Sequence, residues 1–166
     1  RMPVAFARLR AVGVAVALGL ALAGCGYNAI PTAEEAAKAR WADVQNNYQR
    51  RADLIPNLVA TVQGYAQQEA EVLKNVTEAR ARATSIRVDA SQLTDPEKLK
   101  QFQDAQAQLG GALGRLIAVS ENYPDLKSNT NFLALQSQLE GTENRISVAR
   151  RDYIEAVRAY NTELRT

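Results

Sequence analysis

Apolar residues recur every three or four positions along most of the chain after residue 32, the spacing that places them on one face of an α-helix. Pro56 interrupts this pattern, and the stripe then continues to Ile86. Asp53 could cap a second helix that begins there. Because no glycine or loop-like stretch separates the two segments, we predict one long helix that is kinked at Pro56 rather than a reversal. Before Pro56, the stripe consists of Ala37, Trp41, Val44, Tyr48 and Ile55.

Polar positions predict where the helices begin and end. Thr32 and Glu35 have the spacing of a capping box, which indicates the start of the first helix. A polar connection spans residues 88–95, and Pro96 follows Asp95 as the first residue of the next helix. Residues 122–125 close that helix, and the last helix runs from about residue 129 to the end of the chain.

The period of the apolar pattern indicates how these helices pack. In the last segment, apolar positions alternate by three and four residues, which implies shallow crossings of nearly antiparallel helices. No segment alternates with period two over a useful length, so we expect no β-sheet. The predicted fold is all-α: an elongated antiparallel bundle of long helices joined by short loops.

Three glycines lie inside the predicted helix that begins at Pro96: Gly110, Gly111 and Gly114. Each costs up to about 1 kcal/mol relative to alanine in a helix. We expect them to let a neighbouring helix approach closely, and a hinge is the alternative.

The first 25 residues combine a basic start, an apolar run and a short cysteine motif. Arg1, Arg8 and Arg10 precede the uncharged residues 11–21, and residues 22–25 read LAGC. This order is typical of a secretory signal peptide, and LAGC matches a bacterial lipobox. We therefore predict a signal peptide over residues 1–24, lipidation of Cys25, a tether over residues 25–31 and a helical domain over residues 32–166.

Two alternatives to lipidation stay open at the sequence level. The apolar run could be an uncleaved transmembrane helix in the inner membrane, although its length of about 15 residues falls short of the roughly 20 that span a bilayer. Cys25 could also occupy its position by chance. Gly26, rather than Asp, follows the cysteine, which resembles the signal for sorting to an outer membrane.

Charge and composition exclude several classes of function. Three of the 20 basic residues and none of the 18 acidic residues precede Cys25, so the remainder has a net charge of −1. A nearly neutral domain gives no electrostatic reason to expect nucleic-acid binding. The chain has no histidine and one cysteine, so it lacks the commonest general base and cannot form an intrachain disulfide or a zinc site made of cysteines. We expect no metal, no cofactor and no enzymatic activity.

The densest polar clusters lie around residues 50–53 and 142–145. We consider an interhelical polar network in which Arg51, Asp53, Glu143 and Arg150 meet near Pro56. The alternative is that these residues form ordinary solvated helix faces. Neither interpretation is catalytic.

Several segments together resemble the LemA family, and the resemblance extends over nearly everything after Cys25. It implies a bacterial membrane-associated protein whose helical bundle faces away from the membrane, with no agreed biochemical activity. Three features depart from the family pattern: Gln68 replaces a histidine, Ile154 replaces an asparagine, and an amphipathic tail after Asn161 is missing, so we expect a truncated C-terminus. The segments are residues 41–44 (WADV), 48–59 (YQRRADLIPNLV), 64–66 (GYA), 123–129 (YPDLKSN) and 142–146 (TENRI).

Taken together, these features predict a membrane-anchored, non-enzymatic scaffold or interaction module of the bacterial cell envelope. Its expected partners are the lipid bilayer, through the N-terminal anchor, and proteins or further copies of the chain, through helix faces. An accessory subunit of an envelope enzyme and a membrane-remodelling amphipathic bundle are the alternatives.

Overall fold

The computed structural model describes residues 28–165, which form five α-helices and two short 3-10 turns. No strand occurs among these residues, and the predicted all-α fold is confirmed. No helix in this range combines the length and the apolar character needed to cross a membrane. The helices are α1 (Ala29–Gln63), α2 (Ala70–Ser85), α3 (Pro96–Ser120), α4 (Pro124–Lys127) and α5 (Thr130–Glu163), with 3-10 turns at Gln67–Glu69 and Ala90–Gln92.

The long helices α1 and α5 pack against each other in antiparallel orientation, and α2 and α3 form a second antiparallel pair. Asn131 near the start of α5 hydrogen bonds to Thr61 near the end of α1. The rings of Trp41 and Tyr153, whose centroids are 5.1 Å apart, join the same two helices farther along. The chain therefore runs up and down four times, with α1 and α5 as the longest members.

The connection between α2 and α3 is fastened to α1. Trp41 Nε1 and Gln45 Nε2 both donate a hydrogen bond to the backbone oxygen of Val88, each at 2.9 Å. Val88 is fully buried, so its carbonyl could not obtain these bonds from bulk water. These two bonds hold the connection between α2 and α3 against α1.

The buried apolar residues form two clusters that follow each other along the bundle. The smaller cluster is rich in aromatic rings: Phe102 lies 5.3 Å from Trp41 and 5.4 Å from Tyr48, measured between ring centroids. The larger cluster extends from Ile55 in α1 towards the turn between α1 and α2, and includes buried residues of α2, α3 and α5. Burial of these side chains is the main source of stability in such a fold.

Two sequence predictions about α1 are wrong. The helix does not continue to residue 86, because Gly64 caps its end and Ala66 leaves the helical conformation with φ −128° and ψ 55°. The chain reverses there, so α2 runs back along α1. The predicted capping box is also absent: the helix begins at Ala29, within the predicted tether, and the Thr32 hydroxyl donates to the Asn28 carbonyl instead of capping.

The predicted starts of α3 and α5 are confirmed. Helix α1 continues through Pro56 without ending. The Asp95 carboxylate accepts hydrogen bonds from the backbone N–H groups of Glu97 and Lys98 at the start of α3. Asn129 caps α5 in the same way by accepting a bond from the N–H of Phe132 at 2.9 Å. Such side-chain caps satisfy donors that a helix start leaves without partners.

The glycines of α3 do not serve the close approach that we expected. A Cβ atom placed on Gly111 or Gly114 would meet no described atom within 4 Å outside the local backbone of α3. At Gly110 it would lie 3.5 Å from Nη1 of Arg51, so this glycine borders a side chain and not a neighbouring backbone. The expectation is therefore wrong for all three positions.

Candidate functional site: a polar layer in the bundle core

A layer of polar side chains separates the two apolar clusters. In α1, Arg51 lies between Tyr48 of the aromatic cluster and Ile55 of the larger cluster. Gln106 in α3 and Thr142 in α5 occupy the corresponding positions, and all three polar residues are buried. We call Arg51, Gln106, Thr142 and Glu143, together with Arg80 from α2, the polar layer.

Arg51 is the centre of this layer. Its Nη2 donates to the side-chain oxygen of Gln106 at 2.7 Å and to the backbone oxygen of the same residue at 2.8 Å. Its Nη1 donates to Glu143 Oε1 at 3.1 Å. A single side chain thus connects α1 to both α3 and α5.

The positive charge of Arg51 is buried, whereas the negative charge that compensates it is partly exposed to solvent. The arginine side chain is 4% exposed, whereas the side chain of its carboxylate partner Glu143 is 45% exposed. The guanidinium also lies over the ring of Tyr48, 5.0 Å from the centroid, a position in which the aromatic face attracts a cation. Its Nε has no hydrogen-bond partner among the described residues. The bonds to Gln106 therefore contribute substantially to holding the buried charge.

The structure brings together part of the network considered from the sequence. Arg51 and Glu143 are paired, as described above. Asp53 points elsewhere and accepts a hydrogen bond from Gln49 at 2.8 Å on the exposed side of α1. Arg150 shares a solvent-open cleft of about 320 Å³ with Arg51 and Glu143.

Gln106 and Arg80 were missed in the sequence analysis. A glutamine within an amphipathic helix gives no sign that it faces a buried charge. The spacing of Gln106 from Phe102 and Leu109, four and three residues respectively, places it on the buried face of α3. That spacing is the signal that could have found it.

A second set of polar contacts closes the far end of the bundle, which we call the tip: residues 61–69 and 121–131. Asn129 Nδ2 donates to the hydroxyl of Tyr65 at 2.9 Å, and the hydroxyl of Tyr123 donates to Glu69 Oε1 at 3.0 Å. The bond to Glu69 stabilises the protonated phenol and raises the pKa of Tyr123 above its usual value. The turn that follows α1 is thus joined to the turn that precedes α5.

Neither set of contacts resembles a reaction centre. Within residues 28–165, no group of three acidic, cysteine or histidine side chains is placed to hold a metal ion. The polar layer positions helices through hydrogen bonds and one buried charge. Cys25, the predicted lipidation site, lies outside the described residues.

Comparison with known proteins places these features in a family. The model of the LemA family matches residues 40–166, which is most of the chain. The chain belongs to the LemA family. This range contains both the polar layer and the tip of this LemA-family chain.

The individual relatives described next are 25–27% identical to this chain over the aligned residues. Magnetosome protein MamQ 1 of Paramagnetospirillum magneticum is 27% identical over 154 residues, which cover 83% of this chain and 57% of the relative. The MamQ protein of Magnetospirillum gryphiswaldense is 25% identical over the same shares. Protein LemA of Metamycoplasma hominis is 27% identical over 123 residues, or 74% of this chain and 52% of the relative. The chain spans about half the length of the curated relatives it matches.

The structure gives a physical account of the segments that carry the LemA resemblance. The segment at residues 48–59 supplies Tyr48 and Arg51 to the polar layer. The segments at residues 64–66 and 123–129 supply both partners of the bond between Tyr65 and Asn129 at the tip. In this LemA-family chain, the motifs are therefore positions at which helices are joined.

Proposed function

We propose that this LemA-family chain is a membrane-anchored, non-enzymatic scaffold or interaction module of the bacterial cell envelope. The observation that carries the proposal is the α1–α5 pair, which runs from the N-terminal end of the described chain to the tip. With 35 residues, α1 is about 52 Å long, at 1.5 Å per residue. An anchor before residue 28 would place the tip at the far end of this pair.

The tip is the end that we expect to meet a partner. Tyr65 is 44% exposed there, although Asn129 holds its hydroxyl. A side chain that is already held loses less conformational freedom on binding than a free one. Tyrosine also offers an apolar ring together with a polar group, a combination that is frequent at protein interfaces. A protein partner suits this surface.

The proposed location rests on the N-terminal segment and on membership of the LemA family. A lipidated Cys25 would hold the bundle at the surface of a membrane, with the helices facing the periplasm. Two or more acyl chains give stable attachment, since each buried methylene contributes about 0.8 kcal/mol. In a bacterium with two membranes, Gly26 after the cysteine favours the outer membrane.

In-cell photo-crosslinking tests the scaffold proposal. A photoreactive amino acid replaces Asp125, which is exposed at the tip, and a control replaces Gln101, which is exposed on α3. We expect a discrete adduct from position 125 that is absent or much weaker at position 101. No adduct from either position, or the same adducts from both, would contradict a partner-binding tip.

A further inference from the structure

Pro56 leaves one backbone oxygen of α1 without its helical partner. In an α-helix, each carbonyl accepts a bond from the N–H four residues later, and proline has no N–H. The carbonyl affected by Pro56 is that of Ala52. Because Ala52 is only 3% exposed, water has little access to this oxygen. A buried acceptor without a partner is costly, so another donor is needed.

Arg80 of α2 supplies that donor. Its Nε donates to the oxygen of Ala52 at 2.8 Å, across 28 positions of sequence. The donor is charged and the bond is partly buried, which strengthens it relative to a bond between neutral groups. A side chain of α2 thus replaces the hydrogen bond that Pro56 removes from α1.

We propose that Pro56 and Arg80 act together as a register latch. Because Pro56 offers no N–H to the Ala52 oxygen, this oxygen accepts a hydrogen bond only from the guanidinium of Arg80. That bond fixes the axial position of α2 on α1. Pro56 is the only proline beyond the first turn of α1, so the Ala52 oxygen is the only interior carbonyl of this helix that proline vacates. Moving α2 by one turn, about 5.4 Å, would leave that oxygen unpaired. It would also place Arg80 against a carbonyl that is already bonded.

Apolar packing between these two helices would select a register only weakly. The buried residues of α2 are Leu73, Val76, Ala79 and Ala83, so half of them are alanine. Small side chains leave similar surfaces at successive turns. A directional bond to one oxygen distinguishes between registers that packing alone leaves close in energy. Arg80 is therefore a positioning residue.

A double-mutant cycle on the full chain tests the latch. The variants are Arg80→Met, Pro56→Ala and the combination, with Arg82→Met as a matched control on an exposed residue of α2. Alanine at position 56 restores the N–H, so the Ala52 oxygen no longer needs Arg80. We expect Arg80→Met to lower the urea midpoint in the natural background, and to lower it by less than half as much beside Pro56→Ala. An equal loss in both backgrounds would overturn the proposal.

Hydrogen exchange provides a local readout that general destabilisation would not reproduce. In Arg80→Met, the amides of residues 53–55 and 57–59 should exchange about tenfold faster, while the control should leave them unchanged. The increase should disappear when Pro56→Ala is added. Arg80→Lys keeps the charge but lacks the Nε donor, so it should resemble Arg80→Met. Full stability and slow exchange in Arg80→Lys would show that the guanidinium is not required, and would contradict the latch.

Discussion

The guanidinium of Arg51 is nearly inaccessible to solvent, whereas its carboxylate partner Glu143 remains partly hydrated. Removing the carboxylate should therefore do more damage than its own exposure suggests, because a buried cation would lose its only anionic contact among residues 28–165. A buried pair broken on one side typically costs 3–5 kcal/mol, and partial exposure of Glu143 reduces this.

We predict that Glu143→Gln lowers the free energy of unfolding by about 1–2 kcal/mol. Urea unfolding followed by circular dichroism at 222 nm measures the effect. Glu140→Gln is the matched control, since Glu140 is exposed on the same helix about one turn earlier. Equal stabilities for the two variants would mean that the bonds to Gln106 suffice for Arg51.

The hydrogen bond between Tyr123 and Glu69 predicts a specific dependence on pH. Because the bond raises the pKa of Tyr123 in the folded state above its ordinary value of 10.0, the folded protein binds this proton more tightly than the unfolded chain. The resulting stability is fully present below about pH 10 and is lost as the pH rises through the folded-state pKa.

Tyr123→Phe removes this titration and provides the comparison. Below pH 9 the variant should be less stable than the natural chain, and the difference should shrink as the pH rises above 10. Thermal unfolding midpoints between pH 8 and 11 measure it. A difference that stays constant over this range would show that the phenol contributes nothing through its ionisation.

At the residue scale, the sequence indicates charged partners better than neutral ones. Arg51 and Glu143 can be paired because opposite charges in two dense polar clusters suggest a contact. The bond from Arg80 to the Ala52 oxygen could not be predicted, because a backbone acceptor has no signature in the sequence. Its only sign is Pro56, four residues after Ala52, and that sign does not show which helix supplies the donor.

At the scale of elements, apolar periodicity places α3 and α5 well, but it hides the turn after α1. The stripe continues through Tyr65 into α2, since the larger cluster buries both sides of the turn. Gly64 was the available signal, because a glycine near a helix end often marks its cap. Its neighbour Tyr65 has the spacing of a further position of the stripe, so the pattern predicts continued helix where the chain reverses.

The glycines of α3 lead to a prediction about that helix. Since no described atom outside the local backbone of α3 comes within 4 Å of a Cβ at position 114, Gly114→Ala should fit without strain. We predict a gain of about 0.5–1 kcal/mol in the free energy of unfolding, because alanine restricts the unfolded chain and favours helix. Urea unfolding of both proteins measures the difference.

Gly110→Ala is the informative control for this substitution. Its Cβ would lie 3.5 Å from Nη1 of Arg51, so any adjustment of the guanidinium would offset part of the helix gain. We therefore expect a smaller gain than at position 114. A loss of stability in Gly114→Ala would contradict this prediction, because it would show that the space beside position 114 does not accept a methyl group.

At the scale of the whole molecule, the protein consists of two helix pairs, and side-chain hydrogen bonds join these pairs at defined levels along the bundle. Val88 joins them through Trp41 and Gln45, and the polar layer joins them again nearer the middle of α1. The tip contacts close the opposite end. The sequence predicts the long helices, while these joints depend on side chains that are far apart in sequence. A bundle whose two helix pairs are joined at two levels, and whose helix ends are held together at the tip, is suited to holding that tip at a fixed distance from an anchor.

That use of the bundle depends on an anchor before the described residues, for which we propose Cys25. If Cys25 carries the lipid, Cys25→Ala should abolish incorporation of labelled palmitate and release the protein from washed membranes, since acyl chains then provide the attachment. Gly26→Ala, which keeps the thiol, should remain labelled and membrane-bound. Persistent membrane binding of Cys25→Ala would show that the apolar run after Arg10 holds the protein as an uncleaved helix. In either case the bundle would lie at a membrane. Only with the lipid anchor would the polypeptide before α1 not pass through the bilayer.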